Sequence, residues 1–180
     1  LGTSSPRRHS QIKRIRPDIT IIPIRGNIFT RLNKIKTNQI SATILALAGI
    51  SRLKINISYS VLNYAECMPP ASQGIIGITY LKKNKIIKNK LDYHKNLITE
   101  YQAIGERAVL KVINGDCHSS IAVTSRINNK DITISAKVFS TNGSSMIEAS
   151  NTGNLEKSED IGESIGYSLI KKGGLKILKL

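Results

Sequence analysis

Five arginines placed at turns, and one cysteine on a glycine-containing loop, are the residues best suited to chemistry. Arg7 and Arg8 follow Ser4-Ser5-Pro6, where a serine can cap a helix and proline fits its first turn. Arg25 and Arg31 bracket Gly26-Asn27-Ile28-Phe29-Thr30. Gly26 permits a tight strand-to-helix turn and Asn27 is a good N-cap, so both arginines fall at a helix start. Arg52 follows the Ala48-Gly49 turn. Free N–H groups and the macrodipole at a helix N-terminus favour an anion, and guanidiniums add two-pronged recognition of carboxylate or phosphate. The pattern calls for a polyanion. Cys117 sits in Asn114-Gly115-Asp116-Cys117, beside His118. A thiol there is either a buried, inert side chain or a nucleophile and attachment point. His9, His94 and His118 are scattered, and no triad order, phosphate-binding glycine loop or His–Cys metal cluster is present.

Short alternating elements must position these residues. A helix is expected from Pro6 to about Ile15, ending at Arg16-Pro17-Asp18. An apolar run from Ile19 to Ile24 reads as a buried strand, followed by a helix to about Lys36. Ser41 to Leu47 reads as a buried parallel strand, and Ile75 to Leu81 as another strand. Lys82 to Lys90 suits a surface helix or linker. Strands alternating with helices argue for an α/β unit whose ligands bind at the carboxyl ends of the strands, where all five arginines would gather. His94 to Ile113 is an amphipathic helix ending in an Asn-Gly turn. Ile121–Ile127, Ile132–Phe139 and Ser145–Asn151 read as hairpin-connected strands, and Ile161–Lys171 as a closing helix.

The 180 residues carry a net charge of +15, distributed unevenly. Up to Ala65 there are eleven Lys/Arg against one acid, Asp18, whereas from Glu100 onward there are ten against nine. Such a field could steer nucleic acid, anionic lipid or a small polycarboxylate. With no Trp and two Phe there is little to stack bases on. No apolar run reaches the roughly 18 residues of a membrane span. Cys67 and Cys117 match no zinc spacing or disulfide framework, so a reducing, cytoplasmic setting is expected.

Gly2-Thr3-Ser4-Ser5-Pro6-Arg7-Arg8, Ile24-Arg25-Gly26-Asn27 through Thr30-Arg31, and Ile44-Leu45-Ala46-Leu47-Ala48-Gly49-Ile50 resemble the porphobilinogen deaminase (hydroxymethylbilane synthase) family. Gln73-Gly74, Glu106-Arg107-Ala108 and the Gly115-x-Cys117 loop continue the match in order. The resemblance implies a transferase that deaminates and joins porphobilinogen units into a linear tetrapyrrole. It implies a dipyrromethane cofactor held by a thioether to Cys117. It also implies cofactor contacts at Ser5, Arg7, Arg8, Arg25, Gly26 and Arg31, with substrate carboxylates met by Arg25, Arg31 and Arg52. The implied fold is a periplasmic-binding-protein-like α/β domain with a parallel sheet over 1–71. A return segment to a first domain over 72–93 and a small α+β domain with an antiparallel three-stranded sheet over 94–180 complete it.

The sequence departs from the family pattern at three positions: Asn114 replaces an acid, Asp116 a second glycine, and Ser72 a glycine before Gln73-Gly74. The family's catalytic aspartate belongs to its first domain, and this sequence starts after it. The expectation is therefore a fragment inactive alone, completed by a separately encoded first domain, otherwise monomeric, with no nucleic-acid or membrane partner. The alternatives are a basic nucleic-acid-binding protein and a small-carboxylate binding module.

Overall fold

The computed structural model describes residues 1–116 and 118–178. Helix α1 spans Pro6–Ile15, with Pro6 in its first turn and the Ser5 hydroxyl capping the Arg8 N–H. Helix α2 spans Ile28–Lys36, where the Asn27 side chain accepts the Thr30 N–H at 2.9 Å. A one-and-a-half-turn helix, α3, covers Leu47–Arg52. The starts of α1 and α2 follow from local capping chemistry, which the sequence displays openly, whereas α3 follows Ala46 with no side-chain cap.

The strands expected in this half are shorter than their apolar runs. Gly2 pairs in parallel with Ile22 on one side and Thr43 on the other, each through a single bridge. The Gly2 N–H donates to the Ala42 carbonyl at 2.8 Å and the Ile22 N–H to the Leu1 carbonyl at 2.9 Å. Among the described residues no further rung forms beyond these bridges, and Leu47 has already entered α3. Ile19–Ile24 and Ser41–Leu47 are thus bridges, not strands. Ile75–Leu81 is not a strand either: it runs without a ladder, and Ile76, Ile78 and Leu81 are 72, 61 and 69% exposed. Alternation makes a strand only where a neighbour takes up its backbone hydrogen bonds, and none does so among the described residues.

Helix α4 covers Lys85–Asp92, capped by Asn84. The long helix read from His94 begins later, as α5 over Leu97–Ile113, because Asn96 caps the Thr99 N–H at 3.0 Å. Strands β1 (Ile121–Asn128), β2 (Asp131–Phe139) and β3 (Met146–Asn154) form an antiparallel meander in the order β1-β2-β3. Asn128 pairs with Asp131, so the first hairpin turns on Asn129 and Lys130, with Asn129 at φ 57°. Helices α6 (Ser158–Lys171) and α7 (Gly174–Leu178) follow a 3-10 turn at Leu155–Lys157.

Alternate residues of the meander build one core with α5 and α6. Val123, Ile132, Ile134, Ala136 and Val138 meet Val109, Ile113, Ile165 and Leu169, all almost fully buried. The two helices cross at glycines, where a Cβ on Gly162 would collide with the Gly105 carbonyl. The far face of the sheet is covered at one end by Met68 on Ala122 and Phe139. Elsewhere it carries the Thr133–Thr152 and Ser135–Ser150 hydroxyl pairs. No helix among the described residues is long and apolar enough to cross a membrane.

Candidate functional site

A cleft of about 1330 Å³ opens between the N-terminal half and α5. One wall carries Ser4, Ser5, Arg7, Arg8 and Arg31, and the other carries Ala103, Ile104, Arg107, Ala108 and Lys111 of α5. Asn114, Gly115, Asp116 and Ser119 line it beyond the end of α5, together with the Pro70–Gln73 segment.

The capping that starts α1 also fixes the first arginines. Arg7 is buried, and its guanidinium donates to the Met68 carbonyl and lies 3.9 Å from the Cys67 sulfur. Gln11, one turn on, donates to the same carbonyl at 3.1 Å and accepts the Met68 N–H at 2.8 Å. Arg8 reaches across to the Ile44 carbonyl at 2.9 Å. Burial pulls the pKa values of both Arg7 and Arg8 below the ordinary arginine value. Arg8 is pushed down further by the neighbouring charges of Arg7 and Arg31. Crowded, half-desolvated guanidiniums stay protonated but repel one another, and an anion between them relieves that repulsion. Arg31 donates from Nε to the Gly26 carbonyl at 2.9 Å. Gly26 holds φ at 111°, and a Cβ there would stand 2.7 Å from the Thr30 methyl, so the turn that aims Arg31 requires glycine.

At the end of α5, Asn114 takes the left-handed C-cap position at φ 55°. Asp116 then organises the loop: its carboxylate accepts the His118 N–H at 2.8 Å and the Ser119 hydroxyl at 2.9 Å. These two hydrogen bonds hold its carboxyl below the usual carboxylate range, that of Ser119 most strongly. The left-handed demand of the loop is thus met at Asn114, while Asp116 acts as an acceptor. Cys117 itself lies outside the described residues.

Ser72 adopts φ 59°. Its N–H donates to the Glu106 carboxylate at 2.6 Å, and Glu106 also accepts the Ser125 hydroxyl at 2.7 Å. The Ser72 hydroxyl is buried without a partner among the described residues.

The structure therefore brings Ser5, Arg7, Arg8 and Arg31 to one cleft with the residues flanking Cys117. Arg25, Gly26 and Arg52 are exposed and are not among its lining residues. Arg52 was expected at a strand-to-helix turn; because α3 already starts at Leu47, it falls in that helix's last turn. Arg107 and Lys111 line the cleft but were not read as site residues. Their signal was a four-residue spacing on the polar side of a helix that the sequence does reveal.

Guanidiniums gather on one wall of a roomy cleft, at the junction of a parallel-paired half and an α+β half. The donor set fits a carboxylate-bearing oligopyrrole.

Residues 1–89 match the family model described as porphobilinogen deaminase, dipyromethane cofactor binding domain, and residues 101–171 match the model for the porphobilinogen deaminase C-terminal domain. The porphobilinogen deaminase of Clostridium novyi (strain NT) is 34% identical over 176 residues, covering 96% of this chain and 59% of that protein. That of Geotalea uraniireducens (strain Rf4) is 33% identical over 181 residues, 99% of this chain and 56% of that protein. A probable porphobilinogen deaminase of Nitrosopumilus maritimus (strain SCM1) is 32% identical, covering 96% and 56%. The chain belongs to the porphobilinogen deaminase family. It spans less than two thirds of the length of these relatives.

Proposed function

We propose that this chain carries the cofactor- and substrate-holding part of a hydroxymethylbilane synthase, the transferase that joins porphobilinogen units into a linear tetrapyrrole. The observation that carries the reading is one cleft shared by Arg8, Arg31 and the residues on both sides of Cys117. In this reading Cys117 holds a dipyrromethane by a thioether, and the bound group supplies the pyrrole carbon onto which the next unit is joined. Ser5, Arg7, Arg8 and Arg31 hold its acetate and propionate groups. Arg25 and Gly26 join them in holding the cofactor, and Arg25, Arg31 and Arg52 meet incoming substrate carboxylates.

Each residue's part follows from its surroundings. Arg8 and Arg31 offer guanidinium edges to carboxylates, and a bound carboxylate offsets both the burial and the like-charge repulsion that lower Arg8. Arg7 spends one nitrogen on the Met68 carbonyl, so it fixes the wall as well as charging it. Asp116 keeps the loop ends in place through Ser119 and His118. Release of ammonia needs a proton donor and a carboxylate to balance the resulting cation. In this reading a first domain supplies that carboxylate. Residues 1–71 then form a periplasmic-binding-protein-like α/β domain, 72–93 run toward the first domain, and 94–180 form the cysteine-bearing domain, working as a monomer in the cytoplasm.

The test is intact mass after incubation with porphobilinogen, beside a Cys117→Ser control. A dipyrromethane-sized increase, absent from the control, is expected. No increase, even when the N-terminal part of a relative is supplied in trans, overturns the reading.

A further inference from the structure

The cleft has two charged walls, and Arg7, Arg8 and Arg31 occupy only one of them. On the other, Ala103, Arg107 and Lys111 recur every fourth residue of α5, and all three line the cleft. Four residues of helix rise about 6 Å, comparable with one pyrrole ring and its bridging carbon. The row leads directly into the Asn114–Asp116 loop, which lines the same cleft.

The acids around the cleft leave Arg107 uncommitted and Lys111 only loosely paired. Glu100 is paired with Lys95 at 2.8 Å, and Asp116 is engaged within its own loop. Lys111 forms two long, exposed ion pairs, with Glu159 and Glu163, each at 3.8 Å and each weak in water. Arg107 is exposed and takes part in no ion pair among the described residues. The opposite wall, by contrast, has Arg7, Arg8 and Arg31 each already donating to a carbonyl.

We propose that Arg107 and Lys111 form a second carboxylate-binding track, one that takes the later units of a linear polycarboxylate growing from the 114–119 loop. The proposal rests on the function proposed above. Each added unit brings two carboxylates, and one wall with three partly committed guanidiniums does not neutralise a chain of several units. A chain lying between two cationic walls is balanced from both sides. This makes α5 the length-sensing wall: short ligands do not need it, and long ones do.

Two ligands separate the walls: porphobilinogen, one unit with two carboxylates, and uroporphyrin I, an octacarboxylate with the same arms. Their affinities are measured at low ionic strength, by calorimetry and fluorescence titration respectively. Arg107→Glu combined with Lys111→Glu is expected to weaken the octacarboxylate roughly tenfold or more and to leave porphobilinogen within about twofold. Arg8→Glu is expected to weaken both. Lys85→Glu combined with Lys90→Glu, an equal charge change on α4 away from the cleft lining, is expected to change neither strongly. Unchanged octacarboxylate binding in the α5 variant, or an equal loss in the α4 control, overturns the track while the Arg8 result keeps the proposed function. No binding of either ligand by the unsubstituted chain, or no loss in Arg8→Glu, overturns both.

Discussion

The hydroxyl of Ser10 on α1 lies 3.1 Å from the hydroxyl of Ser120 at the entrance to β1. The same Ser10 oxygen stands 3.0 Å from the Pro6 carbonyl and 3.2 Å from that of Thr141. Ser10 is fully buried and Ser120 nearly so. Removing the hydroxyl strands Ser120 in the interior, so Ser10→Ala is expected to cost about 1–3 kcal/mol. Urea unfolding reads this directly, and an unshifted midpoint would contradict it.

Ser72 is a serine doing a glycine's task. At φ 59° it carries left-handed strain, and its hydroxyl is buried without a partner. Ser72→Gly removes both penalties and is expected to stabilise the chain by about 1 kcal/mol, measured as a raised denaturation midpoint.

Glu106 holds the Ser72 turn against β1 through bonds of 2.6 and 2.7 Å. Glu106→Gln keeps the size but offers the Ser72 N–H and Ser125 hydroxyl only one neutral acceptor oxygen. A loss of about 1.5–3 kcal/mol is expected, in keeping with hydrogen bonds to a charged group. The Ser72→Gly background should leave that loss unchanged, because the N–H is retained.

Gly162→Ala raises helix propensity by about 1 kcal/mol yet should destabilise. Its new methyl meets the Gly105 carbonyl, a backbone atom that moves only if α5 and α6 separate. Calorimetry should show a lower melting temperature, and a rise would mean that the crossing is looser than described.

Acid should loosen the loop after α5. The folded pKa of Asp116 lies below its ordinary value, so its bonds to Ser119 and His118 contribute above the unfolded pKa. They are lost as pH falls through the folded value, on the acid side of the usual carboxylate range. The His118 amide resonance should titrate there, and Asp116→Asn, which keeps an acceptor but cannot ionise, should abolish the titration.

Local features of this molecule are legible in its sequence, and assembled ones are less so. Ser5-Pro6, Asn27 and Asn114 announce helix ends because capping involves a few neighbouring atoms. The β1-β2-β3 meander is legible because its hairpin turns are short and one face alternates. Ile75–Leu81 has similar alternation but no neighbouring strand, and sequence does not record that lack. Arg52 was misplaced by a helix that starts one turn early. Arg107 and Lys111 went unread because charge on a helix surface resembles solvation until the facing wall is known.

The bonds joining α1 to the rest of the molecule span long stretches of chain. Arg7 reaches a residue 61 positions on, Gln11 one 57 on, and Ser10 one 131 on. Closing such loops costs entropy before the bonds return any of it, whereas the meander closes over short turns. During synthesis, Ser10 cannot meet Thr141 until residue 141 has left the ribosome. The arginine wall is thus seated late, against a sheet that can already be in place, and a cut between α1 and Cys67 would leave α1 held to its support by non-covalent contacts alone.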